Sequence, residues 1–75
     1  MKRTAVDSSN VRSIGYDKDK ELMEVEFVKT GAVYKYEGVS EEIYKMIINS
    51  SSIGGAFHRF IKTKNYKFER VEEKK

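Results

Sequence analysis

Apolar and polar positions alternate most cleanly where Met23, Val25 and Phe27 are interleaved with Glu24 and Glu26. A period of two predicts a strand with one buried and one wetted face. Upstream, Val11 to Tyr16 is a shorter run of β-formers ending at Asp17-Lys18-Asp19-Lys20, a polar tetrapeptide suited to reversing the chain. Downstream, Lys29-Thr30-Gly31 supplies a turn in which the glycine takes positive φ. Ala32 to Glu37 then returns as a third strand, with Tyr34 and Tyr36 on one face and Val33, Lys35 and Glu37 on the other. The hairpin register decides where the tyrosines go. A two-residue loop at Thr30-Gly31 pairs Phe27 with Tyr34 and turns both rings to the core, whereas a three-residue loop pairs Phe27 with Val33 and turns them outward. The sequence leaves both open.

After Gly38-Val39 the period lengthens. Ser40 is a candidate N-cap, and Glu41 and Glu42 fall in the first turn, where the helix dipole favours negative charge. Ile43, Tyr44, Ile47 and Ile48 form the apolar face of a helix running to about Asn49. Ser50-Ser51-Ser52 breaks it and caps a second helix, in which Ile53, Ala56, Phe57, Phe60 and Ile61 recur at helical spacing and leave His58, Arg59 and Lys62 on other sides. The expected fold is therefore α+β: a three-stranded antiparallel β-meander followed by two helices packed on one face. Tyr66 and Phe68 alternate with Lys67 and Glu69 and allow a short C-terminal strand. One domain is expected over residues 8–70, with a flexible arm over 1–7 and a frayed tail over 71–75.

Composition narrows the function more by exclusion than by naming it. A chain of 75 residues has room for one core, and with four Phe and five Tyr it carries more aromatic mass than a disordered segment. No apolar stretch is long enough to span a bilayer or to serve as a signal peptide, so a cytoplasmic location is expected. Without cysteine and with a single histidine, neither a disulfide framework nor a metal site is expected, and no cofactor is implied. The net charge of +3 is mild, but its distribution is uneven. Glu21 to Glu42 carries six acids against Lys29 and Lys35, while Ile53 to Phe68 carries Arg59, Lys62, Lys64 and Lys67 with no acid at all.

The order Ser8-Ser9, Val11, Ile14-Gly15-Tyr16-Asp17, Met23, Val25, Phe27, Tyr34-Lys35-Tyr36, Ser52, Gly54, Phe57 and Ile61 resembles the KTSC domain from about Ser8 to Phe68. Ala56 and His58 depart from the family pattern, which leads one to expect an aromatic residue and an Asn there. The resemblance implies a short bacterial or phage-type protein. It also implies a link to RNA, because this domain occurs at the C-terminus of some lysyl-tRNA synthetases.

Each candidate residue has a plain reading beside the functional one. Ser52, Gly54 and Gly55 at a helix start present backbone N–H groups to a phosphate, with Arg59 and Lys62 one and two turns onward; equally, Ser52 caps the helix and the glycines permit close packing. Tyr34 and Tyr36 are either a base-stacking platform or cross-strand packing. Arg59, Lys62, Lys64, Lys67 and His58 are either a phosphate-binding band or a solvated face. A Ser–His hydrolase is disfavoured, since no carboxylate stands near His58 to orient it. The reading that absorbs most of these residues is a non-catalytic module binding RNA, single-stranded or tRNA, through a basic helix face and a helix N-terminus. The alternative is a small protein-interaction module or phage or host accessory factor. No membrane or metal partner is expected.

Overall fold

In the computed structural model, which describes residues 3–6 and 8–71, the sheet is wider than the expected meander. Strands β1 (Arg3–Ala5), β2 (Val11–Asp17), β3 (Leu22–Phe27), β4 (Val33–Glu37) and β5 (Phe68–Val71) form one antiparallel sheet in sequence order. The two helices, α1 (Glu41–Ile48) and α2 (Ile53–Phe60), lie between β4 and β5 in the chain. A single 3-10 turn, Lys62–Lys64, follows α2. No helix among the described residues is long and apolar enough to cross a membrane.

The tyrosines reach the core side by a register that neither expected loop produces. Val25 pairs with Tyr34 and Met23 with Tyr36, so the loop spans Val28 to Gly31 and closes where the Phe27 N–H donates to the Ala32 carbonyl. Gly31, at φ 73°, takes the left-handed conformation there. Two residues of slip from the two-residue-loop register leave parity unchanged, and parity decides the face.

A second irregularity lies in β2. Val11 pairs with Phe27 but Ser13 pairs with Glu26, so Arg12 is an extra, bulged residue. The bulge lets Val11 and Ile14, three positions apart, both point inward, where each is fully buried. Against them and Met23, Val25 and Tyr36 pack Ile47 of α1 and Ile53, Ala56 and Phe57 of α2. Ser40 caps α1 by accepting from the Ile43 N–H at 3.3 Å, and Asp17 accepts from the Asp19 and Lys20 N–H groups to reverse the chain between β2 and β3.

The expectation of three strands therefore needs correcting, for a physical reason at each edge. The arm expected over 1–7 is, in its described part, a strand. Arg3 reaches across the outer sheet face to Glu24 at 2.9 Å and to the Ser13 hydroxyl at 3.3 Å, and Ser13 donates onward to Glu26 at 2.8 Å. A strand held by ladder bonds and a polar side-chain chain shows no apolar period. At the other edge β5 starts at Phe68 rather than Tyr66 and includes Val71, opposite Val33. Residues 1, 2, 7 and 72–75 of the expected arm and tail lie outside the described residues.

Two outcomes follow from this packing. Tyr36 is 5% exposed, and burial, then neighbouring Tyr34, pushes its phenol up to about 12 from an ordinary value of 10.0. The folded state binds this proton more tightly than the unfolded chain, so stability is intact below about pH 10 and is lost as pH rises from there toward about 12. Thermal melts across that window should fall less steeply for Tyr36→Phe than for the parent protein. Some slope remains from Tyr16, whose phenol is also pushed up by burial and by Glu21, Glu41 and Asp17. Parallel curves for the two proteins would dissociate Tyr36 from the alkaline loss.

At the β1 edge, Arg3→Met should leave the core intact but loosen the strand. Hydrogen exchange of the Val6 amide, which donates to the Arg12 carbonyl, should accelerate by an amount equivalent to about 1 kcal/mol. Exchange at β3 and β4 should stay near the parent rate. Uniform acceleration across the sheet would mean that Arg3 supports the whole domain rather than its edge.

Candidate functional site

The pairing that turns Tyr34 and Tyr36 inward also turns Phe68 and Arg70 inward, because Tyr36 lies opposite Phe68 and Tyr34 opposite Arg70. The helices do not close over this part of the face. Phe68 is 58% exposed, and Phe27 and Tyr34 are only partly buried. These rings join Phe57 and Tyr36 in a closed circuit of contacts. Centroid distances are 5.5 Å for Phe57 to Phe27, 5.8 Å for Phe27 to Tyr34, 5.9 Å for Tyr34 to Phe68, 5.5 Å for Phe68 to Tyr36 and 5.4 Å for Tyr36 to Phe57. Most meet edge to face, the arrangement ring quadrupoles favour.

Above this aromatic floor stands Lys62, its ammonium 5.8 Å from the centre of the Phe27 ring. Two hollows flank it. The first, of about 420 Å³, is walled by Phe27, Tyr34, Phe57, His58 and Lys29; the second, of about 300 Å³, is walled by Tyr34, Tyr36, Ile61, Asn65, Tyr66 and Phe68. Lys62 and Tyr34 line both. The ion pairs described are Arg3 with Glu24, Lys35 with Glu69 and Lys45 with Glu41. Among the described residues, therefore, Lys29, Lys62, Arg70, Arg59, Lys64 and Lys67 have no carboxylate partner.

The residues singled out in the sequence are distributed unevenly around this groove. Tyr34, Tyr36, His58, Lys62 and the backbone of Gly54 come together there. Arg59 does not: it lies in a separate groove with Met46, Ser52, Gly55 and Phe60. Lys64 and Lys67 are exposed and line neither hollow. At the start of α2 the Ser52 hydroxyl accepts from the Gly55 N–H at 3.4 Å, and the Ser52 N–H donates to Ser50. A side chain at Gly54 would come within 3.2 Å of Asn10 and 3.3 Å of Ser8, so this glycine allows the helix to lie against the segment preceding β2. These contacts are those of a cap and a close approach. The tyrosines form part of a floor on the helix side of the sheet, not a platform on its outer face.

Sequence reasoning missed Phe27, Lys29, Tyr66 and Phe68 as parts of one surface. Phe27 has the period of a core residue, and nothing in the sequence tells which core-facing rings the helices leave uncovered. Among the described residues, no cluster of three or more His, Asp or Glu is placed to hold a metal ion.

The comparisons with known proteins agree with the fold. The KTSC domain model matches residues 7–68. An uncharacterized protein of Stutzerimonas stutzeri (strain A1501) is 39% identical over 72 residues, covering 96% of this chain and all of that protein. The crystal structure of a KTSC domain protein from Yersinia pestis superposes with a TM-score of 0.88 at 32% identity, over 95% of this chain and 97% of that one. With a match over most of its length and relatives above 30% identity, the chain belongs to the KTSC domain family.

Proposed function

We propose that this chain is a non-catalytic RNA-binding module and that the groove around Lys62 is its contact surface. The observation that carries this reading is the open aromatic floor rimmed by cations that have no carboxylate partner among the described residues. Rings supply faces and edges on which any base can stack, at about 1–3 kcal/mol per base, and unpaired Lys and Arg groups supply phosphate contacts without first breaking an ion pair. His58 stands at the same rim and offers a ring N–H donor.

The site differs from the one the sequence suggested. The α2 start contributes little to it, because the Ser52 hydroxyl is occupied in the cap. The Ser50 hydroxyl donates to the Ser52 carbonyl, an arrangement suited to breaking α1 and starting α2 rather than to nucleophilic chemistry.

Affinity for oligouridylate should fall steeply with salt, and Lys62→Met should make the logarithmic salt slope shallower by about 0.7, the value for one phosphate contact on a single strand. Amide and ring shifts in an NMR titration should centre on Tyr34, His58, Lys62 and Phe68. Absence of binding to single-stranded RNA and to tRNA at low salt would end the RNA reading. Salt-insensitive capture of a protein partner through the exposed Phe68 or Met46 would replace it with the interaction-module reading.

A further inference from the structure

Resting on the RNA reading, the division of the groove points to something narrower: we infer that the site takes one dinucleotide step of a single strand, one base in each hollow, with the Lys62 ammonium on the phosphate between them. Three observations carry this. The hollows are separate spaces of about 420 and 300 Å³, each at the lower end of small-ligand sites, so each suits a compact planar group rather than a long side chain. Each has an accessible ring of its own, Phe27 in the first and Tyr66 and Phe68 in the second, with Tyr34 as the shared wall and Phe57 and Tyr36 buried beneath as their support. Lys62 is the cation that lines both, so it sits where the linkage joining two bases must pass.

The same geometry selects against duplexes. The rings form the floor of a recess, and a base reaches them only when it is unstacked and turned out of its strand, which a paired base is not. Asn65 in the second hollow and Lys29 and His58 in the first offer donors to base edges or outer phosphates. Arg70 pairs opposite Tyr34 on the edge strand and lines neither hollow.

The test is a length series on the intact chain, comparing uridine monophosphate, the dinucleotide UpU, an eight-nucleotide oligouridylate and an RNA hairpin. The dinucleotide should bind at least tenfold more tightly than the mononucleotide, and the hairpin stem should not compete. Lys62→Met, which keeps a flexible aliphatic side chain and removes the charge, should bring the dinucleotide down to mononucleotide affinity. Tyr34→Leu, with the fold checked by its circular dichroism spectrum, should weaken both lengths. If the octamer binds but mononucleotide and dinucleotide are equivalent, or if Lys62→Met leaves their ratio unchanged, the dinucleotide step is wrong and the RNA reading stands. If no strand binds, both are wrong.

Discussion

The pairing of Val25 with Tyr34 and Met23 with Tyr36 is the constraint on which the rest of this surface depends. Side chains alternate faces along a strand, so a slip of one residue in this hairpin would exchange Tyr34 and Tyr36 for Val33 and Lys35 on the helix side. It would also break the aromatic circuit, because Phe68 is placed by its pairing with Tyr36. The core resists such a slip. Tyr36 meets Phe57 of α2 at 5.4 Å, and Met23 and Val25 are fully buried beneath the helices. The packing that stabilises the domain thus fixes the floor of the groove. The floor stays partly open, because Phe27, Tyr34 and Phe68 are only partly covered while Tyr36 is buried against Phe57 of α2.

What the sequence made legible and what it did not divide along one physical line. The alternation of β3, the Ser40 and Ser52 caps and the apolar faces of both helices are local properties, and the structure has them where the sequence placed them. The hairpin register, the bulge at Arg12 and the two edge strands depend on contacts between distant segments. β1 is recognisable through its ladder with β2 and the reach of Arg3 to Glu24, and β5 through its ladder with β4. The candidate site shows the same division. The basic character of Ile53 to Phe68 was readable, but that His58 and Lys62 face the rings while Arg59 faces a different groove follows from how α2 and the 3-10 turn after it lie against the sheet.

Charge is sorted between the two faces of the sheet in a way that net charge conceals. Glu24, Glu26 and Glu69 fall on the outer face together with Arg3 and Lys35, and the pairs Arg3 with Glu24 and Lys35 with Glu69 neutralise much of it. The inner face beside the groove holds Lys29, Lys62 and Arg70, none of which has a carboxylate partner among the described residues. A chain with only a mild basic excess therefore keeps unpaired cations on the groove side. A polyanion is attracted to that side first, since exposed charges are screened over about 8–10 Å at physiological salt and the far face adds little.

The position of Lys62 turns this attraction into a usable contact. A lysine tied to a buried carboxylate must leave that partner uncompensated to meet a phosphate, a loss of about 3–5 kcal/mol. The ammonium of Lys62 is held instead by the Phe27 ring at 5.8 Å, an exposed cation–π contact worth about 0.5–1 kcal/mol. A charge-assisted hydrogen bond to phosphate, about 1.5–3 kcal/mol, outweighs that contact. The ring therefore keeps the cation over the floor when the groove is empty and releases it at small cost when an anion arrives. On the proposed RNA reading, leaving the Phe27 ring would also free its face for stacking, so a phosphate contact and a base contact would favour each other.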